Sequence, residues 1–304
     1  MIEIKCLCGD DKFFEVIFEQ NFIEEELSPS NFEARGKYDL GMRHMHYRIL
    51  RCNRCGQLYS NPILELEKIE ELYAATSQEN YGDESNNIVK SYFKPLLKWQ
   101  HLLTEKEAVL EVGCGGGICL RAFRDMGFKK LIGVEPSKKA VDQAEPDIRD
   151  YIHNTIFEHT SFEPSSLNLI CAFQVLDHFL DPAATMQRFH QLLKPGGLCY
   201  TIIHNEKALQ VKLFKTQSPI IDVSHIYYFN RKTLRCIFLQ SGFEVVDIFH
   251  IWNAYAINTW LRMAPIPFKE GITRLMNNLG LGNMIISIPA GNIGLIGRKK
   301  DTIL

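Results

Sequence analysis

Between residues 108 and 204 short apolar runs alternate with amphipathic ones: AVLEVG, ICLRAFRDMG, KLIGVEPS, KKAVDQAEP, LNLICAFQVL, PAATMQRFHQLLKPGG and LCYTIIHN. Short apolar runs closed by turn residues read as buried strands, and the longer stretches between them as helices with one apolar stripe. That rhythm predicts an α/β fold, a parallel sheet with helices on both faces, in which ligands lie beyond the carboxyl ends of the strands. Upstream the period differs. ILELEKIEELYAA sets Ile63, Leu66, Ile69, Leu72 and Tyr73 on one helical stripe with an acidic outer face. IVKSYFKPLLKWQHLL continues as a helix that Pro95 kinks or breaks. Between them TSQENYGDESNN, residues 76–87, is a polar loop, and the division between domains is placed there. The expected organisation is a leader over 1–62, a helical connector over 63–100, and a main domain over 101–304 with a helical insertion at about 251–285.

At 304 residues, 46% apolar and 23% charged, the chain has ordinary globular composition. Its net charge of −2 argues against a general nucleic-acid binder, which needs a basic surface. MIEIKCLCGDDKFF has no apolar core of signal-peptide length, and no 18 apolar residues run without charge, so a cytoplasmic protein is expected.

Nine cysteines change the picture. Five are scattered through apolar segments. The other four form the pairs Cys6/Cys8 and Cys52/Cys55, each at a tight turn followed by glycine. Two such turns complete a tetrahedral sulfur shell, so a structural Zn2+ held by Cys6, Cys8, Cys52 and Cys55 in a zinc-ribbon-like leader is expected. Such a metal staples a segment too small to core itself. His44 and His46, just upstream of the second pair, are alternative ligands.

The first strand runs into GCGGG, residues 113–117. A dinucleotide loop wants G-x-G-x-x-G, but its sixth position here is Ile118. The pattern is instead E-x-G-x-G-x-G, with Glu111, Gly113, Gly115 and Gly117. A carboxylate two residues before the first glycine repels phosphate and welcomes an ammonium group, so the ligand should carry a positive or zwitterionic tail.

VLEVGCGGG, followed 22 residues after Gly113 by Glu135 in LIGVEPS, resembles the class I S-adenosylmethionine-dependent methyltransferases. LNLICAFQVLDHFLDP, LLKPGGLCYTIIHN and SHIYYFNRKTLRCIFLQSGFEVVDI match the same family in order. The resemblance implies a Rossmann-like seven-stranded sheet whose last strand is antiparallel, with GNIGLIGRKK as that strand. The leader also resembles one found ahead of some methyltransferases acting on sugars. By the same resemblance Gly113, Gly115 and Gly117 wrap the methionine part of S-adenosylmethionine, and Glu111 accepts from its amino end. Glu135 takes both ribose hydroxyls, Phe157 with Ile156 and Glu158 lies at the adenine, Gln174 reaches the methionine backbone, and Tyr81 caps the cofactor.

A hydroxyl or carbon acceptor also needs a proton removed, usually by histidine or carboxylate. His178 and His225 are the candidate catalytic residues, with Asp177 and His204 near the same edge. The apolar stretch IWNAYAINTWLRMAPIPF, 251–268, reads as a lid, as a greasy substrate wall, or as a shallow membrane contact for a lipid-linked acceptor. The expected reaction is methyl transfer to a small-molecule acceptor, a nucleotide-linked sugar or glycan precursor. RNA methylation is the alternative, which the acidic balance disfavours. Cofactor binding without catalysis, as a partner protein, is a third reading.

Overall fold

A computed structural model describes residues 1–10, 12–33, 44–75, 84–264 and 266–300. The leader supplies three short strands, β1 (Phe14–Phe18), β2 (Ile49–Cys52) and β3 (Leu58–Ser60), and the five-residue helix α1 (Pro29–Glu33). Two helices lead onward, α2 (Leu66–Ala75) and α3 (Ser85–Trp99). α3 is not broken at Pro95: it runs through it, with Ile88, Phe93 and Leu96 buried on one face. Packing of that face outweighs the amide hydrogen bond that proline cannot make.

The main sheet then forms as the alternation predicts. β4 (Ala108–Val112), α4 (Ile118–Asp125), β5 (Lys130–Val134), α5 (Lys138–Asp142), α6 (Pro146–Arg149) and the two-residue β6 (Ile152–His153) make its first half. β7 (Leu167–Phe173), α7 (Pro182–Leu192) and β8 (Leu193–His204) extend it. α7 starts where it should: Pro182 occupies the first turn and the Asp181 carboxylate accepts from the Ala184 amide. Beyond α8 (Leu209–Phe214) come β9 (Tyr227–Tyr228), α9 (Arg231–Gln240) and β10 (Phe243–His250). An insertion follows, β11 (Asn253–Ala256), α10 (Ile257–Met263), α11 (Lys269–Asn278) and β12 (Ile285–Ile288), before the last strand, β13 (Asn292–Lys299).

The sheet order is β10-β13-β8-β7-β4-β5-β6. β13 runs antiparallel to both of its neighbours, as expected for GNIGLIGRKK, while the pairs from β8 to β6 are parallel. Every residue of β4 and β7 is buried, which is why these central strands read as continuous apolar runs. One face packs on α3 and α4 through Phe93, Phe123 and Phe128. The other shares a single core with the leader, so that Cys6, Leu50 and Tyr59 join Leu110, Ile170 and Ile203.

The leader is tied in a second way that the sequence does not announce. β3 pairs antiparallel with β9, Leu58 with Tyr228 and Tyr59 with Tyr227, so the leader's sheet takes its fourth strand from beyond residue 220. The insertion after β10 holds its two helices between the paired strands β11 and β12. It is pinned to the start of α3, where the Glu84 carboxylate accepts from the Ala256 amide and the Thr259 hydroxyl. No helix among the described residues is long and apolar enough to cross a membrane.

Candidate functional site

The carboxyl ends of β4, β5, β7 and β8 open into a cavity of about 1050 Å³. The loop after β4 is turned by left-handed glycines: Gly113, Gly115 and Gly117 have φ of 70°, 54° and 75°. Gly113 and Gly117 are also fixed by packing, because a Cβ would overlap Val175 at the first and Ile148 at the second. Bare backbone here therefore lets the protein's own side chains close on the loop.

Glu111 is 3% exposed and lines the cavity floor. Burial pushes its carboxyl up to about 8, against the nearby Cys119 thiol, which lowers it, while Glu135 adds to the rise. Its Oε2 has no hydrogen-bond partner among the described residues. A buried carboxylate oxygen left in that state is costly in a closed protein, so a donor from outside is the natural complement. Glu135 stands at the tip of β5. Its Oε2 accepts from the Gly115 amide at 2.9 Å and its Oε1 from the Ser137 amide at 2.8 Å, which locks the glycine loop to the second strand. Burial raises this carboxyl too, and the two amide bonds oppose the rise.

Gln174, just past β7, has φ of 58° and a buried Oε1 without a partner among the described residues. Phe157 lines the cavity from a short turn after β6. Its ring is packed edge-on against Phe179 and Phe189, with the Arg188 guanidinium 4.1 Å from its centroid. Tyr81 lies outside the described residues.

Across the cavity three imidazoles surround one carboxylate. Asp177 is 3% exposed, and burial pushes its carboxyl up to about 6 although His204 draws it down. Its Oδ1 lies 3.7 Å from His178 Nε2 and its Oδ2 3.9 Å from His225 Nε2. The His178 and His225 rings are 4.9 Å apart, and those of His204 and His225 5.1 Å. Each ring is oriented through Nδ1, which meets the Ser224 carbonyl at 2.8 Å in His178, the Ile220 carbonyl at 2.9 Å in His225 and Asn292 Oδ1 at 2.9 Å in His204. These oxygens only accept, so the tautomer that pairs with them carries its proton on Nδ1 and leaves the lone pair on Nε2. Burial holds His204 below the usual imidazole range, although Asp177 and the Asn292 hydrogen bond pull it back up.

These acids and imidazoles stand out in the sequence, but the groups that orient them do not. The Tyr73 hydroxyl, from α2, is 2.7 Å from His178 Nδ1. Tyr73 reads in sequence as one member of an apolar stripe, and only its polar tip hinted at a second duty. Ser224 sits beside a named histidine, whereas Asn292 lies almost 90 residues from His204 and carries no local signal.

The four expected metal ligands converge in the leader. Cys6 Sγ is 3.3 Å from Cys55 Sγ and 3.7 Å from Cys8 Sγ, and Cys8 Sγ is 3.6 Å from Cys52 Sγ. A tetrahedral zinc with sulfur at about 2.3 Å sets its ligands about 3.8 Å apart, close to this spacing. His44 and His46 stand apart from that group. The His46 Nδ1 faces the Tyr47 carbonyl.

A family described as methyltransferase domain matches residues 86–248, more than half of the chain, and the chain belongs to that family. Curated relatives include a ubiquinone biosynthesis O-methyltransferase of Klebsiella pneumoniae, 34% identical over 107 residues, which are 33% of this chain and 44% of that protein. One from Yersinia pestis is 30% identical over 133 residues, covering 38% of this chain and 55% of that protein. The chain thus spans about half the length of the curated relatives it matches. Among solved structures, an S-adenosylmethionine-dependent methyltransferase of Archaeoglobus fulgidus shares 18% identity at a TM-score of 0.49, covering 69% of this chain and 94% of that one. Another, from Mesorhizobium loti, shares 15% at a TM-score of 0.46, covering 68% and 97%.

Proposed function

We propose that this protein transfers a methyl group from S-adenosylmethionine to an oxygen or carbon of a small acceptor, and that the acceptor is a saccharide such as a nucleotide-linked sugar or glycan precursor. The observation that carries the reading is the unpartnered, buried Oε2 of Glu111 on the cavity floor. An ammonium group satisfies it, whereas a pyrophosphate would be repelled. The residues present fit the cofactor: Glu111 and Gln174 offer acceptor oxygens for its amino-acid end, Glu135 offers two for ribose hydroxyls, and Phe157 with Ile156 and Glu158 offers a wall for adenine. When bound, S-adenosylmethionine supplies a methyl group already activated on a sulfonium, so the protein's tasks are alignment, exclusion of water and proton removal.

His225 and His178 are the bases in this reading. Each has its Nδ1 proton fixed on a backbone carbonyl and its Nε2 turned toward Asp177. An ionised Asp177 stabilises the imidazolium formed when Nε2 takes a proton. The saccharide is favoured by the polar lining around this group, where His204, Asn205, Asp222, Ser224 and Asn292 stand together. Hydroxyls oriented by several convergent polar groups suit such a wall. The relatives' name, an O-methyltransferase, supports an oxygen acceptor. Zinc in the four-cysteine group is structural here, since four sulfurs leave no open position.

Screening nucleotide-linked sugars by mass spectrometry tests the proposal. A mass gain of one methylene on a sugar acceptor, absent in His225→Gln, is expected. Transfer only to RNA, or cofactor binding without transfer to any acceptor, overturns the saccharide reading.

A further inference from the structure

The insertion between β10 and β13 turns its apolar side chains outward. On a helical wheel Phe268, Ile272, Leu275, Met276 and Leu279 of α11 and its flanks fall within an arc of roughly 100°, opposite Glu270, Arg274 and Asn277. A helix packed on a core directs such an arc inward. Here Phe268 is 87% exposed, Leu275 53% and Leu279 59%. Met284, just before the return strand, and Ile285 and Ile288 within it are exposed as well. On α8, Leu209 and Leu213 are one turn apart and 70% and 64% exposed. Leu209, Leu213, Trp252 and Ile288 all line the same cavity, so α8 and the two strand ends of the insertion share its exposed apolar edge.

The charge on these elements is one-sided. α8 with the turn after it, α10 and α11 carry Lys212, Lys215, Arg262, Lys269 and Arg274 against one acid, Glu270, although the whole chain has a net charge of −2. An apolar arc flanked by cations is the make-up of a segment that lies in a lipid interface. A second copy of the chain would instead set this basic rim against itself.

We propose that α11, the β12 return and α8 dock the protein on an anionic bilayer surface, and that the cavity receives an amphiphile whose polar head reaches the His225 cluster while its apolar tail stays in the lipid. The docking stands by itself; the identity of the amphiphile as acceptor rests on the methyl-transfer reading above. The layout supports one path: among the lining residues Asp222, Ser224 and His225 are buried, whereas Leu209, Leu213, Trp252 and Ile288 are exposed.

Co-sedimentation of the full chain with phosphatidylcholine vesicles, with and without phosphatidylglycerol, tests the docking. Binding to the anionic vesicles at least about tenfold stronger than to neutral ones, weakened by salt, is expected. Leu275→Glu with Leu279→Glu should lower that binding by about tenfold or more while circular dichroism and S-adenosylmethionine binding stay unchanged. No binding to either vesicle, equal binding to both, or an undiminished double variant overturns it. So does a dimer in vesicle-free solution that the double variant dissociates, since the arc would then be an interface between copies. Loss of cofactor binding in the wild-type protein would sink the methyl-transfer reading and leave the docking result standing.

Discussion

The Ser60 hydroxyl donates a 2.9 Å hydrogen bond to the carbonyl of His225, across 165 residues of chain. Ser60 closes β3, five residues beyond Cys55, and the Ser60 amide also donates to the Ile226 carbonyl at 2.8 Å. The leader that gathers four thiols therefore holds the segment bearing a candidate base.

That relationship makes the metal testable through the distant site. Cys52→Ser should release zinc, measured by mass spectrometry of the metal, and lower Tm by roughly 5 °C or more. Methyl transfer should fall more than cofactor affinity, because β3 reaches His225 and not the glycine loop. Wild-type protein free of zinc as purified would reject the assignment.

Glu111 gives a pH signature. Its carboxyl is raised to about 8 in the folded protein, so its contribution to stability is complete below the unfolded value near 4.5 and is lost as pH rises through about 8. Glu111→Gln should flatten the fall in stability over that window, by up to about 1.4 kcal/mol for each pH unit. An ammonium ligand selects the ionised carboxylate, so cofactor affinity should climb toward pH 8 in the wild type and lose that climb in the variant. Calorimetry in a pH series decides; identical profiles for both proteins contradict the role.

For Glu135 the expectation is a loss of affinity with the fold retained. Glu135→Ala removes both proposed ribose contacts and unties Gly115 and Ser137, and the cofactor should bind roughly 30-fold more weakly, about 2 kcal/mol. Unchanged affinity with an intact circular dichroism spectrum would move the ribose elsewhere.

Asp177 sets an acid limb. With its carboxyl raised to about 6, the carboxylate that supports the imidazoles is present above that pH and lost below it. The rate at saturating cofactor should fall on acidification through about 6, and Asp177→Asn should be slow at every pH. His225→Gln should lower the rate by roughly a hundredfold or more without weakening cofactor binding. A variant that keeps its rate removes His225 from catalysis.

Much of this was legible in residues alone. The alternation from Ala108 to His204 specified the sheet because a strand buried on both faces has little choice but a continuous apolar run. The pairs Cys6/Cys8 and Cys52/Cys55 announced their convergence because a tight turn fixes where thiols point. Pairings made at long range left no local mark: Tyr227 and Tyr228 complete the leader's sheet, yet nothing beside them in the sequence points to β3. Asn292 behind His204 is silent for the same reason. At Pro95 the helix is not broken, because local chemistry at one residue yields to the buried face of the whole helix.

Titration of the purified protein with S-adenosylmethionine, S-adenosylhomocysteine and NAD by calorimetry tests the central claim most directly. Saturable binding of the first two at one site, weakened in Glu111→Gln and Glu135→Ala and unaffected by NAD, is the predicted result. Heat from NAD alone, with neither sulfur nucleoside bound, would contradict it.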